Sequence, residues 1–123
     1  MIIRQETTSD ASAVYELVKT AFASTEHSDG NEQDLVVLLH KSPSFQPALS
    51  LVAEENAKII GYILFSEIKI GEKTAIAPAP LAVLPEHQRK GVGLALLQEG
   101  HRIAKKLGYS ISVVLGRDRK SVV

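Results

Sequence analysis

The residues best suited to chemistry in this sequence lie in one short loop that contains two glycines and two basic side chains. A short apolar run at 81–84 leads through a polar turn to Gln88, Arg89, Lys90, Gly91, Val92, Gly93 and Leu94. This order predicts strand, turn, glycine loop and helix, which aims backbone N–H groups and the positive end of a helix dipole at one point. We expect both glycines to adopt backbone angles that side chains disfavour and to allow close approach of a ligand. The loop therefore predicts a site for an anion, most naturally a phosphate.

Two better-known phosphate loops differ from this one in their spacing. Walker A requires Lys-Ser or Lys-Thr directly after its last glycine, and the Lys-Ser pairs at Lys41 and Lys120 have no glycine loop before them. The dinucleotide fingerprint requires Gly or Ala three residues after Gly93, where Leu96 stands. The remaining pattern is Gln-x-x-Gly-x-Gly after a strand.

Hydrophobic periodicity predicts the elements before the loop. A first strand is expected over residues 1–6, followed by a helix that Thr8 or Ser9 caps. The apolar side chains of this helix recur at helical spacing: Val14, Leu17, Val18, Ala21 and Phe22. A second helix ends before Pro43 and is expected to turn Leu35, Leu38 and Leu39 inward, and residues 42–47 form a turn-rich connection.

The remaining elements complete one α/β (α+β) domain. Strand signals at 49–54, 59–70 and 74–84, separated by short turns, predict an antiparallel meander. The helix after the loop runs to about residue 107, where Gly108 is a left-handed cap, and a β-branched strand covers 109–115. The predicted order is β-α-α-β-β-β-α-β, a mixed, mostly antiparallel central sheet flanked by helices.

The loop and the strand before it resemble the acetyl-CoA signature of the GNAT superfamily, the GCN5-related N-acetyltransferases. The resemblance rests on Leu81-Ala82-Val83 followed by Gln-x-x-Gly-x-Gly, and the element order extends it over residues 2–115. A small subgroup of predicted acetyltransferases shares further phrases, namely Ser50-Leu51-Val52-Ala53-Glu54, Ile60-Gly61 and Leu64-Phe65-Ser66. The resemblance implies the GNAT acyl-CoA N-acyltransferase fold with its last two strands missing.

The same resemblance implies a direct transfer of the acetyl group from acetyl-CoA to a primary amine of a small molecule or peptide, without a metal. The backbone of Leu81, Ala82 and Val83 would pair with the pantetheine arm. Gln88 would order the loop, and residues 89–94 would hold the pyrophosphate. The Val83 N–H would stabilise the tetrahedral oxyanion. The alternative is an ordinary strand–helix turn with two glycines and no ligand.

Groups for proton transfer are harder to identify. Glu32 on the second helix and Glu67 on the third strand are candidate general bases, although both positions also suit solvated glutamates. His27 is a loop histidine, and a water relay to solvent fits the sequence equally well. Tyr109 stands at the wrong end of its strand to be the acid that the resemblance places after the fifth strand. A non-catalytic acyl-CoA-binding module, or an inactive fragment of the enzyme, therefore stays open beside an N-acetyltransferase.

Composition limits the other partners of this 123-residue chain. The absence of cysteine excludes disulfides and thiol catalysis, and four scattered histidines show no metal-ligand spacing. A net charge of zero leaves no basic stripe for nucleic acid, and no apolar run or signal peptide predicts a membrane. A cytoplasmic protein is expected, and a homodimer is left open.

The last seven residues depart from the resemblance. After Gly116 the chain reads Arg-Asp-Arg-Lys-Ser-Val-Val, where the family continues with a tyrosine-rich segment and two strands. Asp-Arg-Lys-Ser-Val-Val is also the translation of a common short-read sequencing adaptor. We therefore expect residues 1–116 to form a single N-acetyltransferase domain, incomplete at its C-terminus, and residues 117–123 to be a non-native tail. A short native basic tail is the alternative.

Overall fold

A four-stranded antiparallel sheet forms the centre of the computed structural model, which describes residues 1–23, 32–43, 45–110, 113–115 and 120–122. Its strands follow the order of the chain: β1 (Ile2–Gln5), β2 (Phe45–Glu55), β3 (Lys58–Ile70) and β4 (Lys73–Val83). The helices are α1 (Ala11–Phe22), α2 (Glu32–His40) and α3 (Val92–Lys106). A separate two-stranded sheet pairs β5 (Val113–Leu115) with β6 (Lys120–Val122). The predicted order is confirmed through β5. The expected start of this strand at residue 109 is wrong, because Tyr109 and Ser110 are not in a strand, and β5 pairs with β6 outside the four-stranded sheet. Strand β6 was not predicted.

The helices lie on opposite faces of the sheet. A Cβ added at Gly61 of β3 would lie 2.9 Å from the side chain of Val92 and 3.1 Å from that of Leu96, so this face of the sheet carries α3. Because side chains alternate along a strand, the neighbouring Tyr62 points to the other face, against which α1 packs, and α2 packs against α1. The missing side chain of Gly61 thus leaves room for α3 to pack closely against the sheet.

The inward face of α1 agrees with the prediction, whereas that of α2 differs from it. Val14, Leu17 and Val18 of α1 are buried in the core. In α2, Val36 is buried and Leu39 packs against the core, but Leu35 and Leu38 are 43% and 66% exposed. Residues 35–39 form an unbroken apolar run, so periodicity alone cannot select the side that turns inward.

Two predicted boundaries are wrong for identifiable reasons. The first cap is Thr7, whose N–H donates to the Asp10 carboxylate at 2.8 Å in a capping box around a 3₁₀ turn (Thr8–Asp10). This extra turn precedes α1, and it displaced the predicted cap from Thr7 to Thr8 or Ser9. Strand β2 begins at Phe45, inside the predicted connection, and Pro47 is tolerated because it falls where the β2–β3 register is irregular.

Polar contacts bind the first strand to the rest of the domain. Arg4 holds Asp10 through two hydrogen bonds, of 2.8 and 3.1 Å, and Glu54 through a third of 2.9 Å. The hydrogen bond from Arg4 holds the pKa of the buried Asp10 carboxyl well below its usual range. Arg4 therefore links β1 to the start of α1 and to β2.

A second polar cluster joins α2 to the sheet. The Glu6 carboxylate accepts hydrogen bonds from His40 at 2.7 Å and from Ser50 at 2.5 Å, and Ser50 also contacts the hydroxyl of Tyr62. Tyr62 is fully buried, as expected for a structural tyrosine, and that burial raises the pKa of its hydroxyl. Glu6, His40 and Ser50 also line a cavity of about 450 Å³, which is called the Glu6 cavity below.

Candidate acetyl-CoA site

Over the described residues, strand β4 has one hydrogen-bonded neighbour, β3. Its other edge, called the free edge below, forms no strand pairing, although β5 of the separate sheet lies near it. The N–H of Leu84 donates to the carbonyl of Ile60 at 2.9 Å. Antiparallel strands alternate hydrogen-bonded and non-bonded pairs, so Leu81 and Val83 direct their N–H and C=O groups away from β3. The N–H and C=O groups of Ala82 point towards β3 and pair with it. The free edge of β4 thus offers backbone donors and acceptors at two positions.

A β-bulge at Pro78–Pro80 comes directly before Leu81 along β4. Ile63 of β3 faces Leu81, but Phe65 faces Pro78, so one residue of β3 spans two residues of β4. Pro78 and Pro80 have no N–H and cannot donate a hydrogen bond to a further strand. The Pro-Ala-Pro segment in a strand pattern is the sequence signal for this bulge, and the predicted site residues did not include it.

The loop after β4 is folded back onto the strand. A 3₁₀ turn (Pro85–His87) follows Leu84, and the side-chain amide of Gln88 then donates to the carbonyl of Val83 at 3.0 Å. Arg89 adopts a left-handed backbone conformation with φ +64°, and its side chain and that of Lys90 are exposed. The loop therefore presents two exposed positive charges next to the end of β4.

Helix α3 opens with free N–H groups that point towards this loop. Its N-cap is Gly91 in the left-handed conformation, with φ +85° and no side-chain cap. The N–H of Ala95 donates to the carbonyl of Gly91 at 3.0 Å, so the N–H groups of Val92, Gly93 and Leu94 precede that bond. Such a helix start attracts an anion through both its N–H groups and its dipole.

The two glycines of the loop have different reasons to be glycine, contrary to the prediction. Gly91 has the positive φ that a side chain would penalise, and a Cβ there would meet nothing within 4 Å. Gly93 has no positive φ, and a Cβ there would touch the side chains of Leu81 and Val83 at ordinary distances of 3.6 and 3.9 Å. The expectation of a disfavoured backbone angle is therefore wrong for Gly93 and right for Gly91.

The structure brings most of the predicted site residues to one place and leaves two elsewhere. Residues 81–83 and 88–94 all lie around the end of β4 and the start of α3. Val92 contributes only its backbone, because its side chain is buried against Gly61, whereas Leu94 is 59% exposed. Glu32 lies in the first turn of α2, and Glu67 lies on β3 opposite Ile76, towards the start of β4.

Glu67 is already engaged by a tyrosine. The hydroxyl of Tyr109, which follows α3, donates a hydrogen bond to the Glu67 carboxylate. Burial, and next to it this hydrogen bond, raises the pKa of Tyr109. The pair connects the end of α3 with β3. His27, the loop histidine of the sequence analysis, falls outside the described residues.

The described part of the chain contains no group of His, Asp and Glu side chains that could hold a metal ion. None of its helices is long and apolar enough to cross a membrane. What the arrangement offers is an anion site at the start of α3 beside an open strand edge. This suits a ligand with a phosphate group at one end and an extended, amide-bearing arm.

Comparisons with known proteins show the family to which the chain belongs. Residues 11–121 match the family model described as Acetyltransferase (GNAT) family. The uncharacterized N-acetyltransferase YjhQ of Escherichia coli K12 is 38% identical over 112 residues, which are 88% of this chain and 59% of that protein. The chain thus spans less than two thirds of the length of this relative.

Two solved structures are similar over 94% of this chain. One is a GNAT family acetyltransferase from Brucella melitensis in complex with acetyl-CoA, with a TM-score of 0.87 and 33% identity over 75% of its length. The other is the GNAT family N-acetyltransferase YhbS from Escherichia coli in complex with CoA, with a TM-score of 0.81 and 29% identity over 62% of its length.

Proposed function

Because the chain belongs to the GNAT acetyltransferase family, we propose that it transfers the acetyl group of acetyl-CoA to a primary amine. The observation that carries the proposal is the free edge of β4, which leads through a short loop into the open start of α3. The relatives from Brucella melitensis and Escherichia coli, which bind acetyl-CoA and CoA, support acetyl-CoA as the cosubstrate.

In this proposal the two ends of acetyl-CoA bind to two parts of the site. The pyrophosphate accepts hydrogen bonds from the N–H groups at the start of α3, and Arg89 and Lys90 neutralise its charge. The pantetheine arm lies along the free edge and pairs with the backbone of Leu81 and Val83. The thioester is at the end of the arm that is remote from the pyrophosphate. It then lies next to the part of β4 that is closer to the bulge than to the loop.

The reaction needs a donor for the oxyanion that forms when the amine nitrogen attacks the thioester carbon. The new C–N bond forms, the C–S bond breaks, the thiolate takes up a proton, and the amine nitrogen loses one. The predicted donor is the Val83 N–H, and the Leu81 N–H points the same way about 6.6 Å further from the loop. One of these two N–H groups stabilises the oxyanion.

Proline substitutions identify which N–H is the oxyanion donor. Leu81→Pro and Val83→Pro each remove an N–H that the β3–β4 ladder does not use. We expect the variant without the oxyanion donor to lose about a hundredfold in kcat and the other variant to lose mainly acetyl-CoA affinity. Equal kcat values in both variants and the parent would exclude both N–H groups as the oxyanion donor.

Glu67 and Glu32 are proposed as candidate general bases, with a water relay to solvent as the alternative. Glu67→Gln keeps an oxygen that accepts the hydrogen bond of Tyr109 but cannot take up a proton at neutral pH. A strong loss of kcat in Glu67→Gln, with unchanged acetyl-CoA binding, assigns the base to Glu67. Glu32→Gln is the matched test on α2, and unchanged kcat in both variants supports the water relay.

A second function, a non-catalytic acyl-CoA-binding module, is favoured by one observation. Strand β4 carries no carboxylate, and Glu67 is engaged by Tyr109. Calorimetry with acetyl-CoA, combined with a thiol assay for CoA release over a panel of small and peptide amines, separates the two. Binding with release indicates a transferase, binding alone indicates the module, and an absence of binding rejects both in favour of an inactive fragment.

The place of action and the assembly of the protein belong to the same proposal. A cytoplasmic location fits an enzyme that consumes acetyl-CoA. Sedimentation equilibrium at several concentrations tests the homodimer that the sequence analysis left open, and a single monomer mass at all concentrations would exclude it.

A further inference from the structure

Gln88 occupies one of the backbone groups on the free edge of β4. Its side-chain amide donates to the carbonyl oxygen of Val83 at 3.0 Å. This carbonyl is one of the two that point away from β3, since the Leu84 N–H is the group that pairs with Ile60. The contact closes a short loop within the chain, so its entropic cost is small.

The remaining groups on this edge form an asymmetric pattern. The N–H groups of Leu81 and Val83 are both available as donors, but only the carbonyl of Leu81 is left as an acceptor. Before Leu81 along β4, Pro80 and Pro78 have no N–H and offer no backbone donor. Of the two outward-facing carbonyls of Leu81 and Val83, a ligand on this edge therefore finds only that of Leu81 free to accept a hydrogen bond.

We propose that Gln88 is a positioning residue that sets the register of the pantetheine arm on β4; this inference rests on the proposed function. The arm carries two amides before its thioester, and its N–H groups require carbonyl acceptors. With the Val83 carbonyl occupied, an arm N–H that reaches these two positions donates only to the carbonyl of Leu81, so the thioester is held at one position along β4. Without Gln88, the arm gains a second register, displaced by two residues or about 6.6 Å.

Such a displacement separates the thioester carbon from its oxyanion donor and from the amine, which must approach to about 3–3.5 Å. Water is excluded from the edge once the arm covers it, and this strengthens the bond between Gln88 and Val83. The loss of Gln88 therefore reduces the rate of acetyl transfer more than it reduces binding.

Three variants at this exposed position test the proposal. Gln88→Leu and Gln88→Glu lack a donor for the Val83 carbonyl, whereas Gln88→Arg retains N–H groups that can reach it. We expect the first two to lower kcat about a hundredfold with KM for acetyl-CoA within about threefold, and Gln88→Arg to stay close to the parent in both. If Gln88 only orders the loop, Gln88→Leu raises KM and leaves kcat at saturation unchanged, and this result overturns the proposal.

A spectroscopic readout makes the test independent of turnover. Acetyl-CoA labelled with carbon-13 at the thioester carbonyl gives a resonance that shifts when a backbone N–H binds the carbonyl oxygen. We expect one shifted resonance in the parent and in Gln88→Arg, and a second, unshifted resonance in Gln88→Leu. An identical single resonance in parent and Gln88→Leu refutes the register proposal alone. A parent protein that does not bind acetyl-CoA refutes the proposed function, and the register proposal with it.

Discussion

Gly91→Ala and Gly93→Ala form a matched pair that tests how the start of α3 is built. Gly91 has φ +85°, and a Cβ there would meet nothing within 4 Å, so the cost of Gly91→Ala is conformational rather than steric. A left-handed residue other than glycine costs about 1–2 kcal/mol, and the smaller entropy of the unfolded chain offsets part of this. We expect Gly91→Ala to lower the free energy of unfolding by about 1 kcal/mol.

Gly93→Ala should act in the opposite direction. Gly93 has no positive φ, and its added Cβ would lie 3.6 Å from Leu81 and 3.9 Å from Val83, which are ordinary contacts. Replacing glycine by alanine inside a helix stabilises it by about 0.5–1 kcal/mol. The two variants should therefore differ by about 2 kcal/mol in the free energy of unfolding.

Urea unfolding and calorimetry with acetyl-CoA measure both consequences. Strain at Gly91 shifts the N–H groups that follow it, so Gly91→Ala should bind acetyl-CoA at least about tenfold more weakly, a change of about 1.4 kcal/mol. Gly93→Ala should stay within about threefold of the parent. A stable Gly91→Ala variant with parental affinity, or a Gly93→Ala variant that is destabilised, would refute the reasoning.

Three further predictions concern the fold. Ala57 has φ +64° in the β2–β3 turn, so Ala57→Gly should raise the free energy of unfolding in urea by about 1 kcal/mol, and an unchanged midpoint would contradict this. A Cβ at Gly100 would lie 2.5 Å from Cζ of the fully buried Phe65, so Gly100→Ala should cost about 1–3 kcal/mol, and the double variant with Phe65→Leu should recover part of that loss. The lowered pKa of Asp10 means that its pairing with Arg4 stabilises the fold above the unfolded pKa of about 3.9 and that this contribution is lost as the pH falls towards the folded pKa. Asp10→Asn should thus be less stable at neutral pH and lose less between pH 5 and pH 2, as acid titrations followed by circular dichroism would show; parallel curves would contradict the assignment.

The features that the sequence predicted well are those with a local physical cause. The strand order follows from β-rich runs between short turns. Gly108 was predicted as the helix end because glycine is common at the left-handed position after a helix, and its φ of +98° confirms this. The loop at Gln88–Leu94 was recognisable because its glycines and basic residues stand next to each other after a strand. Each of these signals extends over only a few residues.

The features that the sequence did not predict depend on distant residues. The cluster of Glu6, His40, Ser50 and Tyr62 joins positions that no local pattern connects. The engagement of Glu67 by Tyr109 likewise requires α3 to be packed on the sheet before the contact exists. The outward direction of the Val83 N–H depends on the register with β3, which a shift of one residue would reverse.

The central claim is that the free edge of β4 and the start of α3 bind acetyl-CoA, and amide NMR during a titration with acetyl-CoA tests it most directly. We predict saturable shifts at the N–H groups of Leu81, Val83 and residues 91–94, with much smaller changes at residues that line the Glu6 cavity. Saturating acetyl-CoA without shifts at β4 and α3, or with the largest shifts around the Glu6 cavity, would contradict the account.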